Sequence, residues 1–160
     1  MTDTGKSRIY LAMIVGLLLV IATMAYKFVI VGSTQKGDDK RVAVILEPGE
    51  RALILQEMRE HVVGLGLIAE ALSRDDMPRV ATASRAMGTA RTDEVPAALM
   101  AKLPLAFKSL ALSTHRDFDT IAADADAGGT PKHALSQLAG VLRTCAACHA
   151  SYQVAGASHQ

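Results

Sequence analysis

The apolar residues form one unbroken run near the start of the chain and are regularly spaced beyond it. Residues 9–26 contain no charged residue, and after Lys27 the apolar character resumes as far as Val31. A helix over residues 9–32 would be about 36 Å long at ~1.5 Å per residue, which is enough to cross a hydrocarbon core of ~30 Å. The pattern therefore predicts a single transmembrane helix, with a cleaved signal peptide as the alternative.

The segment after this run is polar and then briefly apolar. Residues 33–41 carry mixed charges, residues 42–46 are apolar, and Pro48 and Gly49 follow. The composition predicts a solvated linker over residues 33–49, in which residues 42–46 are either extended or packed on the domain.

Beyond residue 49 the apolar positions recur at helical spacing and predict four helices, over residues 50–72, 78–90, 104–127 and 131–152. Pro96 interrupts the connection over residues 91–103, with a helical turn expected at residues 97–102. Gly128 and Gly129 are expected to end the third helix, and Thr130 and Pro131 to begin the fourth. The inward positions are Arg51, Leu55, Met58, Val62, Leu65, Ala69 and Leu72; Val80, Ala83, Met87 and Ala90; Phe107, Leu110, Thr114, Phe118, Ile121 and Ala125; and Leu135, Leu138, Leu142, Cys145, His149 and Tyr152. The prediction is an all-α domain over residues 50–153, with a flexible tail over residues 154–160.

Composition supports helices and narrows the partners. The 160 residues are 50% hydrophobic but only 4% aromatic, which favours helices with small-residue contacts over a β-sandwich. The formal charge is only +1, so no polybasic surface for nucleic acid is expected.

The last predicted helix carries the sequence Cys145-Ala146-Ala147-Cys148-His149, which has the spacing of a c-type haem attachment site. On a helix the two thiols and the imidazole project from one face within about one turn, so they can hold one flat cofactor at its rim and its iron. The chain has only these two cysteines, which argues against a structural zinc site. A dithiol redox pair remains the alternative.

These residues resemble the cytochrome c-prime family and its low-spin relatives, over residues 50–152. The resemblance is carried by the motif and the following Ala150-Ser151-Tyr152, by Leu103-Pro104 with Phe107, and by Phe118-Asp119. It implies an antiparallel four-helix bundle that binds one covalent haem c, with His149 on the iron. It also implies a homodimer through the first two helices.

The resemblance leaves the second axial position of the iron open. If Arg51 matches the arginine found early in the first helix of this family, the distal position is Leu55, which cannot ligate a metal. Met58 is the alternative, because the residues from Leu55 to Arg59 are similar to those of methionine-bearing relatives. His61 is a third candidate. Met58 is equally suited to fill space in the core.

Two arginines are candidates for the haem propionates, since arginine forms bidentate contacts with carboxylates. They are Arg51 and Arg143, and each is equally well read as a solvated surface charge. His115 is expected to be a partly buried, hydrogen-bonded side chain rather than a ligand.

The expected function is electron transfer by a membrane-anchored monohaem cytochrome, and the alternative is a five-coordinate haem protein that binds nitric oxide or another small gas. No grouping of nucleophile, base and orienting residue predicts an enzyme. In such cytochromes the haem is attached outside the bacterial cytoplasmic membrane. We therefore expect residues 1–8 in the cytoplasm, residues 9–32 in the bilayer and the haem domain in the periplasm, where redox proteins are its partners.

Overall fold

The computed structural model describes residues 3–157, and the fold is mostly helical. The helices are α1 Asp3–Ala25, α2 Pro48–Leu72, α3 Met77–Arg85, α4 Ala97–Lys102, α5 Leu105–Asp126 and α6 Pro131–Ser151, with a π-helical segment at Tyr26–Val31 and a 3-10 helix at Thr89–Glu94. The strands are β1 Thr34–Lys36, β2 Val42–Leu46 and β3 Tyr152–Gly156.

The N-terminal apolar run is a helix that no other part of the described chain covers. The stretch Ser7–Val31 is long and apolar enough to cross a membrane, and none of it is buried. The prediction of one such helix is confirmed, although a signal sequence has the same properties.

Four helices bury their apolar sides in one core. Ile68 of α2, Val80 of α3, Phe118 of α5 and Val141 of α6 all belong to it and are fully buried. α3 packs between α2 and α5, and α6 packs on α5 but touches α2 only sparsely. Because α2 and α6 hardly touch, neither helix covers the side of the other that faces it.

The ends of these helices follow local sequence signals. Gly128, with φ of 85°, follows α5, and the Thr130 hydroxyl accepts a hydrogen bond from the His133 amide at 3.2 Å. The predicted end of the third helix and start of the fourth are therefore confirmed. The second helix was predicted too long, because α3 ends at Arg85 and Ala90 is exposed in the 3-10 helix.

The predicted solvated linker and flexible tail were wrong, since parts of both form a three-stranded sheet, whereas residues 42–46 are extended and packed on the domain, the two options predicted for them. β2 pairs antiparallel with β1 and parallel with β3, which brings Val42 opposite Tyr152 and Leu46 opposite Gly156. Val44 and Leu46 are fully buried in a second core with Leu99 and Phe107. The domain is therefore not all-α and not bounded at residues 50 and 153; residues 158–160 of the predicted tail lie outside the described part.

Two glycines of α2 offer a matched test of how tightly this helix packs. A Cβ on Gly64 would collide with the buried side chain of Met87, whereas a Cβ on Gly66 meets nothing within 4 Å. Gly66→Ala should raise the free energy of unfolding by about 1 kcal/mol, because alanine favours the helix. Gly64→Ala should lower it by about 1 kcal/mol, since overpacking typically costs ~1–3 kcal/mol and exceeds the helix gain.

Urea unfolding of the full chain in detergent, followed by circular dichroism, measures both changes. Equal stabilisation by the two alanines would show that Met87 moves aside without cost and that α2 is loosely packed at this level.

Candidate functional site

The two cysteines lie in the last turns of α6, where the two apolar cores meet. Both are free thiols and partly buried. Cys145 packs against the core of the four helices, and Cys148 packs against the second core beneath the sheet. α6 ends at Ser151 rather than residue 152 because Tyr152 begins β3, where its ring lies edge-to-face on Phe107 at a centroid distance of 5.4 Å.

Arg41, which immediately precedes β2, links the sheet to the end of α6 by hydrogen bonds. Its guanidinium donates hydrogen bonds to the carbonyl oxygens of His149 at 3.3 Å and of Tyr152 at 3.4 Å, and to the Gln153 side chain at 3.3 Å. Carbonyl groups in the last turn of a helix lack partners within the helix, so these bonds hold the Cys-x-x-Cys-His segment in place.

The environment of the thiols argues against a redox dithiol. Burial raises the pKa of Cys145, and burial together with the neighbouring Cys145 raises the pKa of Cys148. Reactive dithiols have a lowered pKa and are found at helix N-termini, whereas these thiols lie at the C-terminal end, where the helix dipole disfavours a thiolate.

His149 does not lie on the buried side of α6, contrary to the prediction. The buried residues of α6 are Ala134, Leu138 and Val141, and the predicted inward residues Leu135, Leu142 and His149 are exposed. Within residues 3–157 the His149 ring has no hydrogen-bond partner. The imidazole is thus free and accessible beside two half-buried thiols.

The predicted inward stripe of α2 is displaced in the same way. The buried residues are Ile54, His61, Gly64, Ile68 and Ala71. Of the predicted set, Leu55, Leu65 and Leu72 are partly buried, Met58 is 36% exposed and Val62 is 69% exposed.

The exposed apolar residues of α6 lie on the side that adjoins α2. At ~100° per residue, Leu135, Leu142 and His149 lie about 40–80° to one side of Cys145, and Gln137 lies about 80° to the other. The Gln137 amide donates to Asp124 of α5 at 2.6 Å, so the apolar residues are on the side away from α5.

Two exposed apolar residues of α2, Met58 and Val62, lie on the side that adjoins α6, whereas Leu53, Val63 and Leu67 are exposed on other sides of the helix. Met58 and Val62 lie about 40–80° to one side of Ile54, while Gly64 lies about 80° to the other and meets Met87. We call the surface formed by Met58, Val62, Leu135, Leu142 and His149 the α2/α6 face. It combines an apolar surface with one imidazole and one thioether.

The other predicted site residues are more scattered. Arg51 is exposed and donates to the Val154 carbonyl oxygen at 3.5 Å, which places the start of α2 beside the residues that follow α6. Leu55 is partly buried one turn before Met58. Arg143 is exposed in a shallow cleft with Asp117 and Thr120 of α5, so it lies away from the α2/α6 face.

A second group of functional side chains was missed by the sequence analysis. Glu57 and His61 of α2 and His115 of α5 place one ligand atom each within 4.8 Å of one another, and both histidines are buried. His115 was expected to be partly buried and hydrogen-bonded; it is buried, and its Nδ1 lies 2.8 Å from the Met87 carbonyl oxygen. The pairing with Glu57 joins residues 58 positions apart, so helical spacing within α2 alone does not reveal it.

The partly buried Glu57 lies beside the buried His115, with His115 Nε2 3.4 Å from Glu57 Oε1, and the two form an ion pair when the imidazole is protonated. Burial by itself lowers the pKa of His115, but the hydrogen bonds to Glu57 and to the Met87 carbonyl outweigh it, and the net shift is upward. The hydrogen bond from His115 lowers the pKa of Glu57 despite its burial.

The ion pair predicts a pH-dependent stability. Glu57 stabilises the fold above its ordinary pKa of 4.5 and ceases to do so as the pH falls through its lowered folded-state pKa. His115 stabilises the fold below its ordinary pKa of 6.5 and ceases to do so as the pH rises through its raised folded-state pKa. Glu57→Gln should therefore lower the free energy of unfolding most between pH 4.5 and pH 6.5, by about 1.5–3 kcal/mol. The loss should become smaller as the pH rises further.

Urea unfolding at a series of pH values checks this expectation. Glu70→Gln is the matched control, because Glu70 lies on the same helix in an exposed ion pair with Arg74. A cost of Glu57→Gln that stays constant across the pH range would contradict the ion pair.

Comparison of the chain with models of known families, with curated proteins and with solved structures gives no match.

Proposed function

We propose that this chain is a membrane-anchored c-type cytochrome that transfers electrons and carries one covalently bound haem. The observation that carries the proposal is the arrangement at the end of α6. Two half-buried, protonated thiols lie one turn apart, with a free imidazole next to them. In a c-type haem site two such thiols form the covalent links to the porphyrin and the adjacent imidazole ligates the iron.

The residues present fit a haem. Cys145 and Cys148 would form the thioethers, His149 would ligate the iron, and the apolar side chains of the α2/α6 face would cover the porphyrin. Four of its five side chains are apolar and are not covered by protein, and contiguous exposed apolar surface is common at ligand-binding grooves. The position of the two cysteines and His149 beside the α2/α6 face supports the proposal that α2, α3, α5 and α6 form a haem-binding bundle.

Among the candidates for the second axial ligand, Met58 fits best. It belongs to the α2/α6 face, whereas the His61 Nδ1 lies 2.8 Å from the Glu57 carbonyl oxygen and the His61 ring packs against His115 and Phe118 in the core. A haem held by histidine and methionine has a raised reduction potential and no open position, which suits an electron carrier.

A gas-binding haem protein is the second candidate. It is favoured by Leu55, which is partly buried one turn from Met58 and would occupy the distal side without ligating the metal. Reduced protein that binds carbon monoxide readily would support this candidate over the electron carrier.

The anchor supports a location at the cytoplasmic membrane with the haem domain in the periplasm. Lys6 and Arg8 precede the apolar helix, as is usual on the cytoplasmic side. After the helix, the Ser33 amide donates to the Lys102 carbonyl oxygen of α4 at 2.7 Å, so the domain follows the anchor without a free tether. The haem would then exchange electrons with redox proteins near the membrane surface. From the resemblance to dimeric bundles alone, we also propose that the chain forms a homodimer.

The decisive experiment is mass measurement of the full chain, produced in bacteria that attach haem to c-type cytochromes. We expect the mass of one haem in addition to the polypeptide, a haem-stained band after denaturing electrophoresis, and loss of both in the double variant Cys145→Ala and Cys148→Ala. An unmodified mass in the parent chain, with the protein folded in the membrane fraction, would refute the cytochrome proposal.

A further inference from the structure

The interior of the domain contains three potential metal ligands that the haem site does not use. Glu57 and His61 are four residues apart on α2, so they lie one turn apart on the same side of that helix. His115 faces them from α5. Both histidines are at least nine-tenths buried, and Phe118, fully buried, lies against His61 with ring centroids 5.8 Å apart.

Hydrogen bonds to the backbone determine which nitrogen of each histidine is free. His61 Nδ1 lies 2.8 Å from the Glu57 carbonyl oxygen, and His115 Nδ1 lies 2.8 Å from the Met87 carbonyl oxygen. A carbonyl oxygen only accepts, so each Nδ1 carries the hydrogen. When neutral, both rings therefore present Nε2 as a lone pair, which is the usual arrangement of metal-bound histidines held by a second group.

We propose that Glu57, His61 and His115 bind one divalent transition-metal ion of the Zn²⁺ or Fe²⁺ class. Two imidazoles and a carboxylate are ligands that these ions accept, and three protein ligands leave a position open for water or a small molecule.

The distances support this assignment. His115 Nε2 and Glu57 Oε1 are 3.4 Å apart. This is about the separation of two ligands in a tetrahedral site with bonds of ~2.1 Å. The group as a whole lies within 4.8 Å, so a small change of side-chain torsion is enough to close it around an ion.

The charge around the group is also suitable. Arg91 lies near enough to lower the pKa of both Glu57 and His115, but its guanidinium forms its ion pair with Glu60 rather than with Glu57. The metal ion would replace the proton shared between His115 and Glu57. The site is separate from the haem motif, since it uses the core-facing side of α2 rather than the side that carries Met58, and the inference does not depend on a haem being bound.

Zinc titration of the full chain in detergent, after treatment with a chelator, tests the proposal. We expect one Zn²⁺ per chain with micromolar or tighter affinity by calorimetry, and Co²⁺ should give visible absorption bands of low coordination number. Zinc is counted rather than iron, so any haem iron does not interfere.

Three variants locate the site. Glu57→Gln and His115→Gln should each weaken Zn²⁺ binding about tenfold or more, since loss of a supporting group alone costs 10–100-fold. His61→Gln should have a similar effect. His133→Gln is the control, because His133 is exposed and pairs with Asp124 on the surface, and it should leave the affinity unchanged. Circular dichroism verifies that each variant is folded.

Failure of the folded parent chain to bind Zn²⁺ at roughly 100 µM would overturn the proposal and leave the group as a structural ion pair. Binding that is lost in His133→Gln but kept in Glu57→Gln would also overturn it, because the ion would then lie on the surface.

Discussion

Replacing Met58 with alanine is expected to convert the spectrum of the haem-loaded protein from low spin to high spin and to lower its reduction potential. Met58 is the thioether on the α2/α6 face, and loss of a methionine ligand removes the interaction that favours the reduced iron. Axial ligands set haem potentials over a range of ≈0.8 V, so a fall on the order of 0.1 V is expected. Optical spectra and a redox titration of the full chain measure both effects.

Met100→Ala is the matched control for this change. Met100 is 38% exposed and Met58 36%, so truncation removes a similar side chain from a similar environment. Met100 lies on α4, away from the α2/α6 face. The spectrum of the Met100→Ala protein should therefore stay low spin. If Met58→Ala leaves the spectrum unchanged, Met58 is not a ligand, and the same measurement on His61→Gln then tests the histidine.

Replacing Leu46 with alanine is expected to destabilise the domain by about 2–5 kcal/mol, as for other fully buried leucines. Leu46 lies on β2 and is 0% exposed in the core that also contains Cys148 and Tyr152. The substitution leaves a cavity in the core against which Cys148 and Tyr152 pack at the end of α6. Urea unfolding of the full chain in detergent, followed by circular dichroism, gives the change in free energy.

Leu53→Ala serves as the control, since the same atoms are removed from a side chain that is 48% exposed on α2. It should cost no more than about 0.5 kcal/mol. Equal and small effects of both substitutions would mean that residues 42–46 are not part of the folded core and that the predicted linker is correct after all.

The features that could be predicted from the sequence are those determined by residues close together in the chain. The apolar run that becomes α1, the glycine after α5 and the Thr130 cap of α6 each depend on a few neighbouring residues. The Cys-x-x-Cys-His spacing belongs to the same class, because one turn of helix is enough to bring its three side chains to one surface.

The side of a helix that becomes buried is less well determined. On α2, the predicted stripe through Met58 and Val62 and the observed one through Ile54 and His61 are adjacent and almost equally apolar. Which of them faces the core depends on where α3 and α5 lie. On α6, likewise, Leu142 was predicted to face the core but is exposed, and the neighbouring Val141 is buried instead.

Contacts between segments that are far apart in the sequence cannot be predicted from a local pattern of residues. β2 joins β3 across more than a hundred residues, and a short apolar run carries no signal of a partner that follows the last helix. Glu57 meets His115 for the same reason, through the packing of α2 against α5. The sequence by itself therefore determined the long apolar N-terminal helix, the helical character and the Cys-x-x-Cys-His spacing, because these depend on neighbouring residues. The tertiary structure alone decided the sheet, the exposed face beside His149 and the buried Glu57–His61–His115 group, because these depend on which surfaces the packed helices bring together.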